Sequence, residues 1–314
     1  MLTPAQTADF AARGFLVVED VVPPSVLAAV RTEYEGLLDG LYRGWVDEGR
    51  VPGGIKGFEA RLIAAYRAGC DWFQPMDISL PGDRITEETP MHFGPAVFDL
   101  LTCPRLLDIA ESLVGPEITS NPIQHVRIKP PARDLRSGEV RAHITRTDWH
   151  QDRAVALAEA DATDMVTVWI AMTDATVENG CLQVVPMDAG QEMLPHCPKL
   201  QTAIADGFVD EAAALPLPVG AGGVVLLHPL IPHASLPNGT DGIRWSFDIR
   251  YNRTGQPTGR AQFPSFVARS RKAPETALRD WRVWKKDWES ARTRLARTPH
   301  IDIHRWTSDA PFCA

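Results

Sequence analysis

Between about residues 116 and 255 the chain is a series of short apolar runs, each ended by Pro, Gly, Asn or Asp. "QHVRIKPP", "MVTVWIAMTDA", "GCLQVVPM", "GGVVLLHPLIPHAS" and "IRWSFDIRYNR" follow one another in this way. Such runs with turn signals between them predict strands, and their succession predicts an antiparallel sandwich or barrel. The last run alternates. Arg244, Ser246, Asp248 and Arg250 share one face of the strand, and Ile243, Trp245, Phe247, Ile249 and Tyr251 share the other. If the polar face looks inward, the interior of the sandwich is a site rather than a plain core, and the aromatic face is covered by helices.

Helical patterns flank this region. "TPAQTADFAARG" predicts a helix with Thr3 as N-cap, Pro4 at its first position and Gly14 past its end. "FLVVEDVV" reads as a strand and "PPSVLAAVRTEYEGLLDGL" as a second, amphipathic helix. "FGPAVFDLLTCPRLLDIAESLVG" predicts one or two more, broken near Pro104. Near the end, Trp281, Trp284 and Trp288 fall on one helical stripe, which predicts packing against the sheet. No segment reads as a solvated linker, and 314 residues, 44% of them hydrophobic, suffice for one large core. The expectation is a single domain over 1–314, mainly β with flanking helices. It comprises a helical part (about 1–115), a core (about 116–255) and a helical tail (about 256–314).

With 40 acidic against 32 basic residues, the net charge of -8 argues against a nucleic-acid partner. No apolar run is long enough to predict a membrane span, and the first residues do not read as a signal peptide. The five cysteines are scattered, odd in number and without a CxxC pair. They predict neither a disulfide framework nor a thiolate zinc site, and they fit a reducing cytoplasm.

The stretch "TDWHQDRA" places His150 and Asp152 two residues apart. On a strand, both would face one side and bind one cation together, although such pairs also arise by chance. A third ligand is available in "LLHPLIPHASLPNGTDGIRW", from His228 or His233. Their odd spacing puts them on opposite faces of an uninterrupted strand, so at most one joins the site. Pro229 and Pro232 weaken that parity argument, while the turn-rich loop after His233 favours His233. Two imidazoles and one carboxylate on one face of an ion leave three positions open, as in the facial triad of non-haem Fe(II) oxygenases. A buried Arg244 needs an anion: either a ligand carboxylate held by its planar fork or a structural Asp or Glu.

At these residues the sequence resembles the phytanoyl-CoA dioxygenase family of Fe(II)- and 2-oxoglutarate-dependent oxygenases. "RIKPP", "WHQD", "VTVWIAMTDA", "ENGCLQVVP" and "HPLIPHASLPN" followed by Arg244 carry the likeness, in that order. The resemblance implies a double-stranded β-helix (jelly roll), with His150, Asp152 and His233 on iron. It also implies that Arg244 and Ser235 hold the far carboxylate of 2-oxoglutarate, that Trp169 lines the cosubstrate pocket and that His228 is not a ligand. The implied reaction uses O2 to hydroxylate a small-molecule substrate, since Asp152 stands where related halogenases carry a small residue.

Trp149, Gln151, Arg153, Gln124 and His125, near the site in sequence, are the expected substrate contacts. The segment 41–95 is an expected part of a lid. The chain departs from the family after Pro186, where it reads "VVPMDAGQE", and in the long stretch "PPARDLRSGEVRAHITRTDWHQD". Loops beside a site carry substrate contacts, so these departures bear on the substrate. The competing reading is a zinc-binding or non-catalytic jelly roll. It leaves Arg244 without a purpose, because neither needs a carboxylate clamp beside its ligands.

Overall fold

The computed structural model describes all residues except 83, 135–146, 189, 200, 299–302 and 314. Most of the long stretch before "WHQD" therefore lies outside the described residues. The strands are β1 (Phe15–Val18), β2 (Glu117–Lys129), β3 (Met165–Ala171), β4 (Leu182–Val184), β5 (His196–Pro198), β6 (Thr202–Ile204), β7 (Leu215–Leu217), β8 (Val224–Leu227), β9 (His233–Ser235), β10 (Arg244–Arg253) and β11 (Phe266–Ser270). A six-stranded antiparallel sheet runs in the order β1-β8-β3-β10-β2-β11. It faces a three-stranded sheet, β7-β4-β9, and β5 and β6 form a separate hairpin.

The helices are α1 (Pro4–Arg13), α2 (Pro24–Asp47), α3 (Phe58–Arg67), α4 (Phe73–Met76), α5 (Pro95–Leu101), α6 (Pro104–Val114), α7 (Asp152–Val155) and α8 (Trp281–Ala296). α1 begins as its sequence dictates. Thr3 and Gln6 form a reciprocal capping box, Pro4 opens the first turn, and Gly14 closes the helix at φ 79°.

Every residue of β3 and β8 is buried, because both faces of the large sheet are covered. Val166, Val168, Ile170, Val224, Leu226, Trp245, Phe247, Ile249 and Tyr251 join the helices in one outer core. Trp169, Ala171, Val225 and Leu227 point the other way and meet Leu182, Val184 and Leu217 of the small sheet. Aromatic contacts fix the outer layer: Phe58 stacks on Trp245 at 5.1 Å, and Tyr34 meets Phe247 edge-on at 5.8 Å.

Three expectations need correction. The tryptophan stripe of α8 does not lie on the sheet alone. Trp284 and Trp288 are buried against Phe93, Phe98, Phe263 and Phe266, so α5 and its preceding loop share the contact. The segment 41–95, expected as part of a lid, sends part of its length into the outer core. Trp72, Met76, Ile78 and Leu80 are buried in the outer layer, while Arg43, Arg50 and Lys56 are exposed. Finally, Cys197 and Cys313, 116 residues apart, are joined by a disulfide. Spacing carries no signal for so distant a pair. Cys70, Cys103 and Cys181 are free and buried.

Candidate metal and cosubstrate site

The inner face of the large sheet is polar where β2, β10 and β3 lie side by side. The register sets Lys129 opposite Arg244, Arg127 opposite Ser246 and His125 opposite Asp248. On the other flank it sets Arg250 opposite Thr167 and Asp248 opposite Trp169. Directly opposed residues share a face, so these side chains all turn inward.

His150 and His233 meet as an isolated backbone bridge, with reciprocal N–H to carbonyl hydrogen bonds of 3.0 Å. Their ring centroids are 4.0 Å apart. The pair "HxD" is not on a regular strand, as the i, i+2 argument assumed. His150 sits on the bridge, and Asp152 opens the single helical turn α7. The turn still brings the carboxylate round: Asp152 Oδ1 is 3.9 Å from His150 Nε2, and Oδ2 is 3.9 Å from His233 Nε2.

The donor set fits a ferrous ion. One ligand atom from each of His150, Asp152 and His233 lies within 4.8 Å of the others, and all three residues are buried. His150 Nδ1 faces the carbonyl of Asp148 at 2.9 Å, and His233 Nδ1 faces that of Ile231 at 3.1 Å. A neutral ring donating there presents its Nε2 lone pair to the shared centre. Burial, followed by the nearby His233, lowers the pKa of His150 to about 3 and keeps it in that neutral form. Burial alone would raise the Asp152 carboxyl. The Arg250 guanidinium, then His233 and His150, outweigh it and hold the group below the usual carboxylate range. One carboxylate with two imidazole nitrogens is the combination that iron of this kind takes.

Asp152 is held from both sides. Arg250 donates to Oδ1, and the Thr167 hydroxyl donates to Oδ2 at 2.5 Å. Without a metal, Arg250 is the main counter-charge to a carboxylate only 1% exposed. Arg250→Leu is therefore expected to cost the metal-free protein about 3–5 kcal/mol. It is also expected to give a larger rise in Tm on adding Co(II) than wild type shows, because the ion then supplies the missing charge. Equal shifts in scanning calorimetry would mean that Arg250 does not neutralise Asp152.

The same cavity is lined by His150, His233, Trp169, Ser235, Arg244 and Asp248, with Arg127 beside them. Arg244 is 2% exposed, and among the described residues no carboxylate lies within ion-pair distance of it. Its Nη1 donates to Ser246 Oγ at 2.7 Å, its guanidinium lies 5.2 Å from the Trp169 ring centre, and its Nε has no partner. Burial and the like charge of Arg127 push its pKa down to about 9. A buried cation in this condition calls for an anion. Ser235 Oγ accepts from Lys129 Nζ and from the Thr147 backbone, each at 2.8 Å, which leaves its own hydrogen to donate.

The expected substrate contacts fare differently. Gln151 is fully buried and spends its amide on Glu192, Leu230 and Leu194 backbone atoms. Arg153 donates to the carbonyls of Ala160 and Thr163. Gln124 lies on the outer face, where it donates to Ile78. Trp149 is half-buried, and its carbonyl accepts from Ile204 of β6. His125 is on the inward face but is engaged by Asp77 at 2.8 Å. None of the five lines the cavity. His228 is also outside it, beside Phe10. The residues missed from sequence are Arg127, Lys129 and Thr167. The same alternation that flagged β10 runs through "VRIKPP" and "VTVW", so the signal was there.

The family profile described as phytanoyl-CoA dioxygenase (PhyH) matches residues 10–246. A probable phytanoyl-CoA dioxygenase of Caenorhabditis elegans is 28% identical over half of this chain and 51% of its own length. The human peroxisomal phytanoyl-CoA dioxygenase is 24% identical over 80% of this chain and 68% of its own. The chain thus spans about half to two thirds of these relatives. Among solved structures, the apo form of ThoJ, a non-haem monooxygenase, superposes with a TM-score of 0.59. It covers 92% of this chain and 95% of that one at 21% identity, a likeness of fold. Others of this fold are described as α-ketoglutarate-dependent or as 2-oxoglutarate complexes.

Proposed function

The chain belongs to the phytanoyl-CoA dioxygenase family, and from its site we propose an Fe(II)- and 2-oxoglutarate-dependent dioxygenase acting on a small molecule. The reaction converts substrate, 2-oxoglutarate and O2 into hydroxylated substrate, succinate and CO2. One observation carries the reading: His150 and His233, which share a metal-donor cluster with the buried Asp152, line one pocket with Arg244, which among the described residues has no carboxylate partner.

Bound Fe(II), with its cosubstrate and O2, supplies the oxidising power that breaks an unactivated C–H bond. The rest is the work of the chain. His150, Asp152 and His233 would hold the ion. Arg244 would hold the far carboxylate of 2-oxoglutarate by charge-assisted hydrogen bonds, and Ser235 would donate one more. Trp169 backs the guanidinium and limits its movement. The covered inner face of the sheet excludes water from the reacting centre. A zinc or purely structural jelly roll would have no use for Arg244.

The same reading takes the chain as one domain over 1–314, supported by the tail's packing on the core. It places the protein in the cytoplasm, where thiol reductants act on the Cys197–Cys313 bond. No helix among the described residues is long and apolar enough to cross a membrane. The test is a screen of small molecules with Fe(II) and 2-oxoglutarate, read as succinate release and as gain of one oxygen by the substrate. Succinate that requires both iron and O2 supports the reading. An iron-loaded protein that forms none, with any candidate or alone, contradicts it.

A further inference from the structure

The C-terminal segment 303–313 lies beyond the residues matched by the family profile, yet it reaches the metal-binding stretch. The hairpin β5–β6 brackets His150 through its backbone. The Trp149 carbonyl accepts from Ile204 at 2.7 Å, and the Gln151 N–H donates to His196 Nε2 at 3.1 Å. His196 is fully buried, and its Nδ1 faces the Leu194 carbonyl at 2.7 Å. That contact fixes the tautomer that leaves Nε2 as the acceptor. Burial lowers its pKa to about 4, so the acceptor persists at neutral pH.

The tail supports this histidine from outside. Trp306 stacks on the His196 ring at 5.2 Å and 30°, and its indole N–H donates to Ala154 of α7 at 2.9 Å. Arg305 pairs with Asp161. The end of the tail is bonded covalently to the residue after His196, through Cys197–Cys313. One indole thus touches both the hairpin that grips His150 and the helical turn that begins at Asp152.

We propose that His196 is a positioning residue for His150 and Asp152, acting through the Gln151 backbone, and that the tail is its brace, latched by Cys197–Cys313. With the bond closed, the chain after Trp306 is tied to the residue beside His196, which favours the stack on His196 and the spacing of the two ligands. Opening takes two electrons and two protons from a dithiol reductant, which becomes its own disulfide. Closing returns them to a disulfide of the glutathione class. Loss of the brace loosens the ligands and weakens metal binding about 10–100-fold, as loss of outer partners does elsewhere. The inference rests on the metal site proposed above.

The test measures Co(II) affinity by visible absorption, well below each protein's Tm. The samples are oxidised wild type, wild type reduced and freed of reductant under argon, Cys313→Ser, and Trp306→Ala with the bond intact. The oxidised protein is expected to show three titratable thiols after denaturation and the tightest binding, and the other three samples a dissociation constant at least about tenfold higher. A merely structural tail would lower Tm and leave the constant unchanged. A constant within twofold across all samples, or five free thiols in the oxidised protein, overturns the proposal. If oxidised wild type binds no Co(II) at all, the metal site itself is wrong.

Discussion

Asp152→Asn is expected to fold and to lose its metal. The amide keeps the shape of the carboxylate and one oxygen for Arg250, and the Thr167 hydroxyl can turn to accept from the amide nitrogen. The charge that balances the ion is gone. Weakening an outer partner of a ligand costs up to about 100-fold in affinity, and loss of the one charged ligand should cost more than that. Succinate formation falls to background, and added Fe(II) does not restore it at concentrations that saturate wild type. Both this variant and Asp152→Ala leave Arg250 a buried cation with only Asp248 nearby, and Asp152→Ala also removes the acceptor that Asn keeps for it. The alanine variant is expected to lose a further few kcal/mol of stability, about 3–5 at most. Equilibrium metal titration and calorimetry on both variants separate the two effects. A variant that retains full turnover would remove Asp152 from the ligand set.

Arg244→Met separates function from stability in the opposite sense. Losing charge-assisted hydrogen bonds worth about 1.5–3 kcal/mol should raise the KM for 2-oxoglutarate roughly 10- to 150-fold. Turnover should return to near normal once 2-oxoglutarate saturates, and Co(II) affinity should not change. Without cosubstrate, the variant should melt at a higher temperature than wild type. It replaces a 2% exposed cation, one nitrogen of which has no partner among the described residues, by an apolar side chain of similar reach. An unchanged KM would mean that the clamp lies elsewhere, with Lys129 and Arg127 the nearest alternatives on the same face.

Much of this was legible because β10 carries two incompatible faces. Four polar residues alternating with five apolar ones fit only a strand between a helix layer and a polar interior, and that fixes where Arg244 points. Parity allowed at most one of His228 and His233 to join the site, and only the loop that follows His233 favoured it. The substrate contacts were not legible, because nearness in sequence does not specify direction. Gln151 stands between two ligands and turns its amide into the protein. Arg250 was placed on the correct face, yet its partner Asp152 lies on α7, and only the β10–β3 pairing sets Arg250 beside Thr167, which holds the same carboxylate. The Cys197–Cys313 bond and the Trp306 stack join residues more than a hundred positions apart, and no local pattern encodes such contacts.

The central claim is that His150, Asp152 and His233 hold one ferrous ion within reach of a 2-oxoglutarate anchored by Arg244. An anaerobic titration of the Fe(II)-loaded protein with 2-oxoglutarate, followed by visible absorption, tests it most directly. The account expects a weak charge-transfer band that saturates at one cosubstrate per chain, needs far more 2-oxoglutarate in Arg244→Met and is absent from His233→Ala. Iron that binds without any such band, or a band undiminished when His233 is gone, would contradict it.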